Sequence, residues 1–169
     1  TFEDKHVGSG KAVSFSGLSL SGEDASNYSL SAHDAATASI TAKALSVSGL
    51  SAADKIYHET DSAVLGGTAA LLALSTAGAG DSDDGKAYKD DDVGLTGTAT
   101  ATFEDKHVGS GKAVSFSGLS LSGDDANNYT FSVPNATASI TAKALSVSAP
   151  IISDKTYDGT KSAGSVTLG

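Results

Sequence analysis

TFEDKHVGSGKAVSFSGLSLSG, residues Thr102–Gly123, occurs a second time, letter for letter, as Thr1–Gly22. Two identical runs of this length do not arise by chance, and the copies stay aligned beyond them. Ser21–Ser31 (SGEDASNYSLS) answers Ser122–Ser132 (SGDDANNYTFS), and Ala36–Ser48 (ATASITAKALSVS) recurs as Ala136–Ser148. More loosely, Asp54–Thr60 (DKIYHET) matches Asp154–Thr160 (DKTYDGT). The period is therefore about 100 residues, the size of one small domain. Solenoid and propeller units run to roughly 20 to 50 residues and need neighbours to bury a core, whereas a unit of this length can bury its own. The expected organisation is a tandem array: residues 1–43 as the C-terminal part of one repeat, 44–143 as a complete repeat and 144–169 as the start of the next. The chain is expected to be a window on a longer array.

Within the repeated stretch, Val13 and Phe15 alternate with Ser14 and Ser16, the two-residue period of a strand with one buried face. After Gly17 the apolar positions change parity to Leu18 and Leu20, as a bulge or bend at Gly17 or Gly118 would produce. The glycines of Val7-Gly8-Ser9-Gly10 supply a reversal. Alternation continues in Tyr129, Phe131 and Val133, and again in Ala38, Ile40 and Ala42. Val93, Leu95, Gly97, Ala99, Ala101 and Phe103 hold one parity, with Thr96, Thr98, Thr100 and Thr102 opposite. The stretch Thr68–Leu74 is composed of helix formers but lacks a polar face at helical spacing; a buried strand and one short helical turn both fit, and strand is the preferred reading. Counting segments gives about seven short strands per repeat and no helix. The expected fold is all-β: tandem antiparallel β-sandwich repeats of Ig-like type.

Composition narrows the function classes. The eleven basic residues are all lysine, and the formal net charge is −9. Without arginine there is no bidentate fork for phosphate or guanine, and the charge repels polyanions, so nucleic acid is not an expected partner. The absence of cysteine removes disulfides and thiolate metal sites. The apolar cluster Ala69–Leu74 is far shorter than the roughly 18 residues of a membrane helix, and no membrane insertion is expected.

Candidate sites are few. Asp81, Asp83, Asp84, Asp90, Asp91 and Asp92 lie in an acidic loop and offer oxygen ligands suited to calcium, a hard cation. Their spacing does not follow the EF-hand loop, which ends in a distant bidentate Glu, and the competing reading is a solvated loop. His6 and His107 occupy one repeat position and read as turn residues; His33 has no counterpart in the next copy, and His58 sits in the divergent Tyr57–Thr60 motif. Gly8-Ser9-Gly10 and Gly109-Ser110-Gly111 are too compact for a nucleophile elbow, and no catalytic set is expected. Tyr28, Tyr129, Tyr57 and Tyr157 recur at repeat positions and read as packing residues, although tyrosines at a surface can stack on sugar rings. The Thr98–Thr100–Thr102 row reads as an ordinary exposed strand face.

Tyr157-Asp158-Gly159-Thr160, Phe103–Val114, Gly118–Gly123, Asp125–Tyr129 and the closing Ile140–Leu145 together resemble the YDG repeat. The resemblance implies an extracellular module of large bacterial adhesins of filamentous haemagglutinin type, exported by two-partner secretion, and a stalk or matrix-fibre role without catalytic residues. Expected partners are neighbouring repeats, with other copies of the chain or an extracellular glycan as alternatives. Two departures stand out: the complete copy reads Tyr57-His58-Glu59-Thr60 in place of Tyr-Asp-Gly-Thr, and it carries the acidic Gly80–Asp92 insertion.

Overall fold

The computed structural model describes residues 1–31, 36–78, 82–163 and 166–167. The first copy contributes β1 (Gly8–Val13) and β2 (Ala36–Ile40), paired antiparallel. The complete repeat holds seven strands among its described residues: β3 (Lys43–Ala53), β4 (Lys55–Ile56), β5 (Val64–Leu71), β6 (Gly94–Phe103), β7 (Gly109–Ser122), β8 (Tyr129–Ser132) and β9 (Ala136–Thr141). A two-stranded ribbon of β10 (Ile151–Ile152) and β11 (Val166–Thr167) follows. Among the described residues, helix is limited to single 3-10 turns at Ala25–Asn27 and Ala126–Asn128. The chain is all-β.

The complete repeat forms a three-stranded sheet in the order β5-β3-β8 and a four-stranded sheet in the order β4-β9-β7-β6. The expectation of purely antiparallel strands is corrected here. β3 runs parallel to β8, and β4 runs parallel to β9. Parallel neighbours require a long connection between them, and this one is nearly the whole repeat. The opening segment crosses from one sheet to the other at Asp54 and lies alongside the two closing strands in turn. Asp54 Oδ1 fixes that corner by accepting the Ser139 amide at 2.6 Å.

Two apolar clusters follow from the alternation. Ala101, Phe103, Val114, Ala138 and Ile140, from β6, β7 and β9, pack with Ala52 and Leu65 of the other sheet and with Tyr57. The second cluster joins Leu45 of β3 and Tyr129 of β8 to Ala87, with Leu71, Val93, Leu121 and Phe131 against them. Burying a side chain such as Ile140 or Leu45, each 1% exposed, contributes about 1.5–3 kcal/mol relative to leaving it in water. Small Ala residues let the sheets approach, so the repeat manages with few aromatics.

The parity switch at Gly118 is a bulge. The β6–β7 register passes from Gly97↔Leu119 to Thr100↔Ser117, leaving Thr98 and Ala99 opposite Gly118 alone. Gly118 has φ +85, and a Cβ there would stand 2.2 Å from the Thr98 carbonyl oxygen. The same device occurs in the other sheet, where Gly49 faces Thr68 and Ala69, and a Cβ at Gly49 would again meet a carbonyl oxygen at 2.2 Å. Sequence reading missed this echo: Ser46–Ser51 (SVSGLS) is matched by Ser115–Ser120 (SFSGLS), and Gly67-Thr68-Ala69 by Gly97-Thr98-Ala99. Both bulges line one cleft of about 210 Å³, with Leu50, Leu65, Leu95 and Leu119.

The duplicated stretch does not fold alike in its two copies. In the complete repeat it forms a continuous strand to Ser122, whereas in the first copy the strand ends at Val13. Phe15, Leu18, Tyr28 and Leu30 of the first copy are exposed and lie outside strands, contrary to the alternation. The reason is pairing. β7 is held by β6 on one side and β9 on the other; β1 has β2 and, in place of β6, the single bridge Phe2↔Val13.

Gly118→Ala is expected to lower the stability of the complete repeat by about 2–4 kcal/mol, the cost of a left-handed non-glycine residue plus the carbonyl clash. Gly17→Ala, also at φ +80 but with nothing within 4 Å of its Cβ, is expected to incur only the left-handed cost of about 1–2 kcal/mol and so to move the urea midpoint less. Equal shifts for the two variants would contradict the bulge as the reason for glycine.

Candidate functional site

The acidic loop between β5 and β6 is built onto the repeat by its less conspicuous residues. Ala87 is fully buried in the second cluster, and the bridge Ser75↔Tyr88 fixes the strand-like segment around it. The Ser46 amide donates to the Gly85 carbonyl at 2.9 Å. Gly85 has φ +70, and a Cβ there would overlap Ser46 Oγ at 2.4 Å. Acidic composition drew attention to the loop, but the anchor is the Lys86-Ala87-Tyr88 segment within it.

Once anchored, the loop carries its carboxylates to specific partners. Lys43, the first residue of β3, has a side chain 8% exposed with Nζ 2.8 Å from Asp84 Oδ1. The contact lacks hydrogen-bond alignment, so it is an ion pair, supplemented by the Tyr88 ring 4.1 Å beneath the ammonium. Burial alone would lower the Lys43 pKa; the Asp84 carboxylate and Tyr88 together outweigh it and hold the value above the ordinary 10.5. Asp84 is in turn held below the usual carboxylate value by Lys43 and by the Lys86 amide, which donates to its Oδ1 at 2.9 Å.

Tyr129 opens β8 and is 6% exposed. Its hydroxyl donates to Asp91 Oδ2 at 2.8 Å and accepts the Tyr88 amide at 3.1 Å. Desolvation pushes the Tyr129 pKa up to about 12, with Asp91 adding to the rise and the Tyr88 amide opposing it. Burial would raise the pKa of Asp91, yet Lys5 and Tyr129 bring it below 3.8. Lys5 belongs to the first copy: its Nζ lies 2.6 Å from Asp91 Oδ1 and 3.5 Å from Asp125 Oδ1. Beside it the Val7 amide donates to Asn128 Oδ1 at 3.0 Å, and Asn128 Nδ2 is 3.2 Å from His6 Nδ1. The Asp92 amide donates to Asp125 Oδ2 at 3.0 Å, and Asp92 Oδ2 accepts the Asp124 amide at 3.2 Å.

Of the six candidate calcium ligands, Asp84, Asp91 and Asp92 are thus placed in three different contacts. Asp83 and Asp90 are exposed, and Asp81 lies outside the described residues. Among the described residues no three acidic or histidine side chains converge as a metal set. His6 and His107 sit in matching turns, where their amides donate to Asp4 and Asp105 at 2.7 Å each. His58 Nδ1 is 3.1 Å from Thr60 Oγ1, and His33 lies outside the described residues. Tyr57 packs against the first cluster, while Tyr28 and Tyr157 are exposed. In the Thr row, Thr100 Oγ1 is 2.9 Å from Ser117 Oγ across the sheet.

The turn after Tyr157 is closed by its own side chains. Asp158 Oδ1 accepts the Thr160 amide and hydroxyl, each at 2.9 Å, and lies 2.8 Å from Lys155 Nζ. Gly159 completes it at φ +74. The family model of the YDG domain matches residues 1–38 and 41–138. The chain belongs to the YDG domain family. No curated protein and no solved structure matches it.

Within the complete YDG repeat, the same turn is made without its Asp and Gly. Glu59 stands at φ +73 where Gly159 has +74, the one non-glycine residue at positive φ among the described residues. Such a conformation costs about 1–2 kcal/mol, and the surroundings hold it: Lys55 Nζ donates to the carbonyls of Thr60 at 2.6 Å and Ser62 at 2.7 Å. The same ammonium lies 5.0 Å from the Phe103 ring centroid. The lysine that precedes the motif closes the turn in both copies, which the motif alone does not reveal.

Tyr129→Phe removes a buried hydroxyl with two half-buried partners and is expected to cost about 1–3 kcal/mol. The wild-type phenol ionises near 10 when unfolded and near 12 when folded. Its contribution is therefore fully present below pH 10 and lost as pH rises towards 12. Urea midpoints across that window should fall less steeply for Tyr129→Phe than for the wild type; parallel falls would contradict the buried phenol.

Proposed function

We propose that this chain is a non-catalytic structural unit of a secreted bacterial surface adhesin, a stalk, spacer or matrix-fibre repeat of Ig-like sandwich type. The observation that carries the reading is the use of the acidic loop. Asp84 braces β3 through Lys43, Asp91 braces β8 through Tyr129, and Asp92 ties the loop to the Asp124–Asp125 turn. These are scaffold contacts, in which carboxylates hold strands together. Membership of the YDG family adds the resemblance to tandem extracellular repeats, and the contacts of Lys5 and Val7 with the following repeat fit a serial array. In this reading each repeat supplies length, and recognition belongs to other parts of the protein.

Scanning calorimetry with calcium and with a panel of glycans tests the proposal. A ligand present at 100 times its Kd would add about 2.7 kcal/mol, raising the Tm of a domain this size by roughly 10 °C or more. The expected result is no shift with either. A concentration-dependent rise with calcium or with one glycan would replace the spacer reading with a binding module.

A further inference from the structure

We propose that the Lys-His-Val turn of each repeat is a plug that docks into the acidic corner of the repeat after it, and that Lys106–Val108 presents this plug to a further copy of the repeat. The inference rests on the structural-array reading and adds a fixed joint to it. The first junction displays the contact. Lys5, 61% exposed, caps the Asp91 and Asp125 side chains, which are 11% and 15% exposed. Val7 and His6 meet Asn128 through the two hydrogen bonds given above. The corner thus offers two largely desolvated carboxylates and an amide, and the turn offers an ammonium and a backbone N–H, a complementary set.

Strand register explains why the two parts meet. Gly8 pairs with Ile40, so the turn before Gly8 lies beside the end of β2. Lys43 pairs with Tyr129, so Asn128 lies beside the start of β3. Only Thr41 and Ala42 separate these strands, which leaves plug and corner on adjoining ends of a two-residue joint.

The second plug has the same construction. Gly109 pairs with Ile140 as Gly8 does with Ile40. The ammonium of Lys112 reaches Asp105 at 2.9 Å, as that of Lys11 reaches Asp4 at 2.7 Å, and both turns make the same amide contact to their Asp. Its surroundings are open: Val108 is 56% exposed, beside a cleft of about 610 Å³ lined by Tyr57, His107, Val108, Ala142 and Leu145. Leu145 is 89% exposed, while its counterpart Leu45 is buried in the second cluster of the complete repeat. The corner motif also recurs, since Asp24 and Asn27 stand where Asp125 and Asn128 do. Plug and corner on opposite ends of one unit make a heterologous, head-to-tail contact.

Because the chain lacks cysteine, spin labels on Ser9→Cys and Thr96→Cys can report the distance between the first copy and the complete repeat by pulsed electron resonance. The full chain is expected to give one narrow distance population, retained in Lys5→Arg and lost in Lys5→Glu, with the circular dichroism of all three unchanged. A broad distribution in the unaltered chain, or a narrow one that survives Lys5→Glu, would overturn the plug. For the second plug, the complete repeat is followed by a further copy of residues 43–142 and labels are placed in both. Lys106→Glu should lose the narrow population between those two repeats while the first junction stays narrow; no change would overturn the assignment to Lys106–Val108. Failure of either test leaves a freely hinged array, which the calorimetric test of the spacer reading judges separately.

Discussion

The pairing of β7 with β6 is the constraint on which the rest of the repeat depends. It places Val114 and Phe103 opposite each other in the first cluster. Across the bulge at Gly118 it also turns Leu121 towards the second cluster. A single strand thereby serves both apolar clusters, with the bulge resetting which parity of the strand faces inward. The bulge needs glycine because the facing carbonyl occupies the space of a side chain. An equivalent bulge at Gly49 gives β3 the same property, with Leu45 in one cluster and Ala52 against the other.

The charged contacts are built on that frame. β3 and β8 are parallel neighbours, so Lys43 and Tyr129 stand side by side at the same end of the sheet. The loop anchored by Ala87 passes over both and supplies Asp84 to one and Asp91 to the other. Asp91 then faces outward on its remaining oxygen, where Lys5 of the preceding copy meets it. A contact between repeats is therefore an extension of a contact within one, and the acidic insertion does both tasks.

Much of this was legible locally. The alternation in Ala136–Thr141 and Gly94–Phe103 gave strands with the observed buried faces, and the parity switch located the bulge at Gly118. Reading Thr68–Leu74 as strand holds as far as Leu71, where β5 ends. Long-range facts were not legible. Nothing in the pattern of Leu45–Val47 says that its neighbour is β8 or that the two run parallel, because register between distant segments is set by which faces are buried together. Lys43 looked like a junction residue and Ala87 like part of a solvated loop; each is buried by residues more than 40 positions away. The first copy shows the same limit, since its letters promise strands at Phe15 and Leu20 that form only beside a partner.

That last contrast offers the most direct measurement. Ser14–Ser21 and Ser115–Ser122 share the sequence SFSGLSLS, so their unprotected amides exchange with solvent at nearly the same rates. Hydrogen exchange followed by mass spectrometry or NMR on the one chain compares them internally. Strong protection within Ser115–Ser122, with Ser14–Ser21 exchanging as open chain, is the result expected if pairing with β6 makes the strand. Equal protection of the two segments would mean that the sequence forms the strand without β6, and would contradict the dependence of the repeat on that pairing.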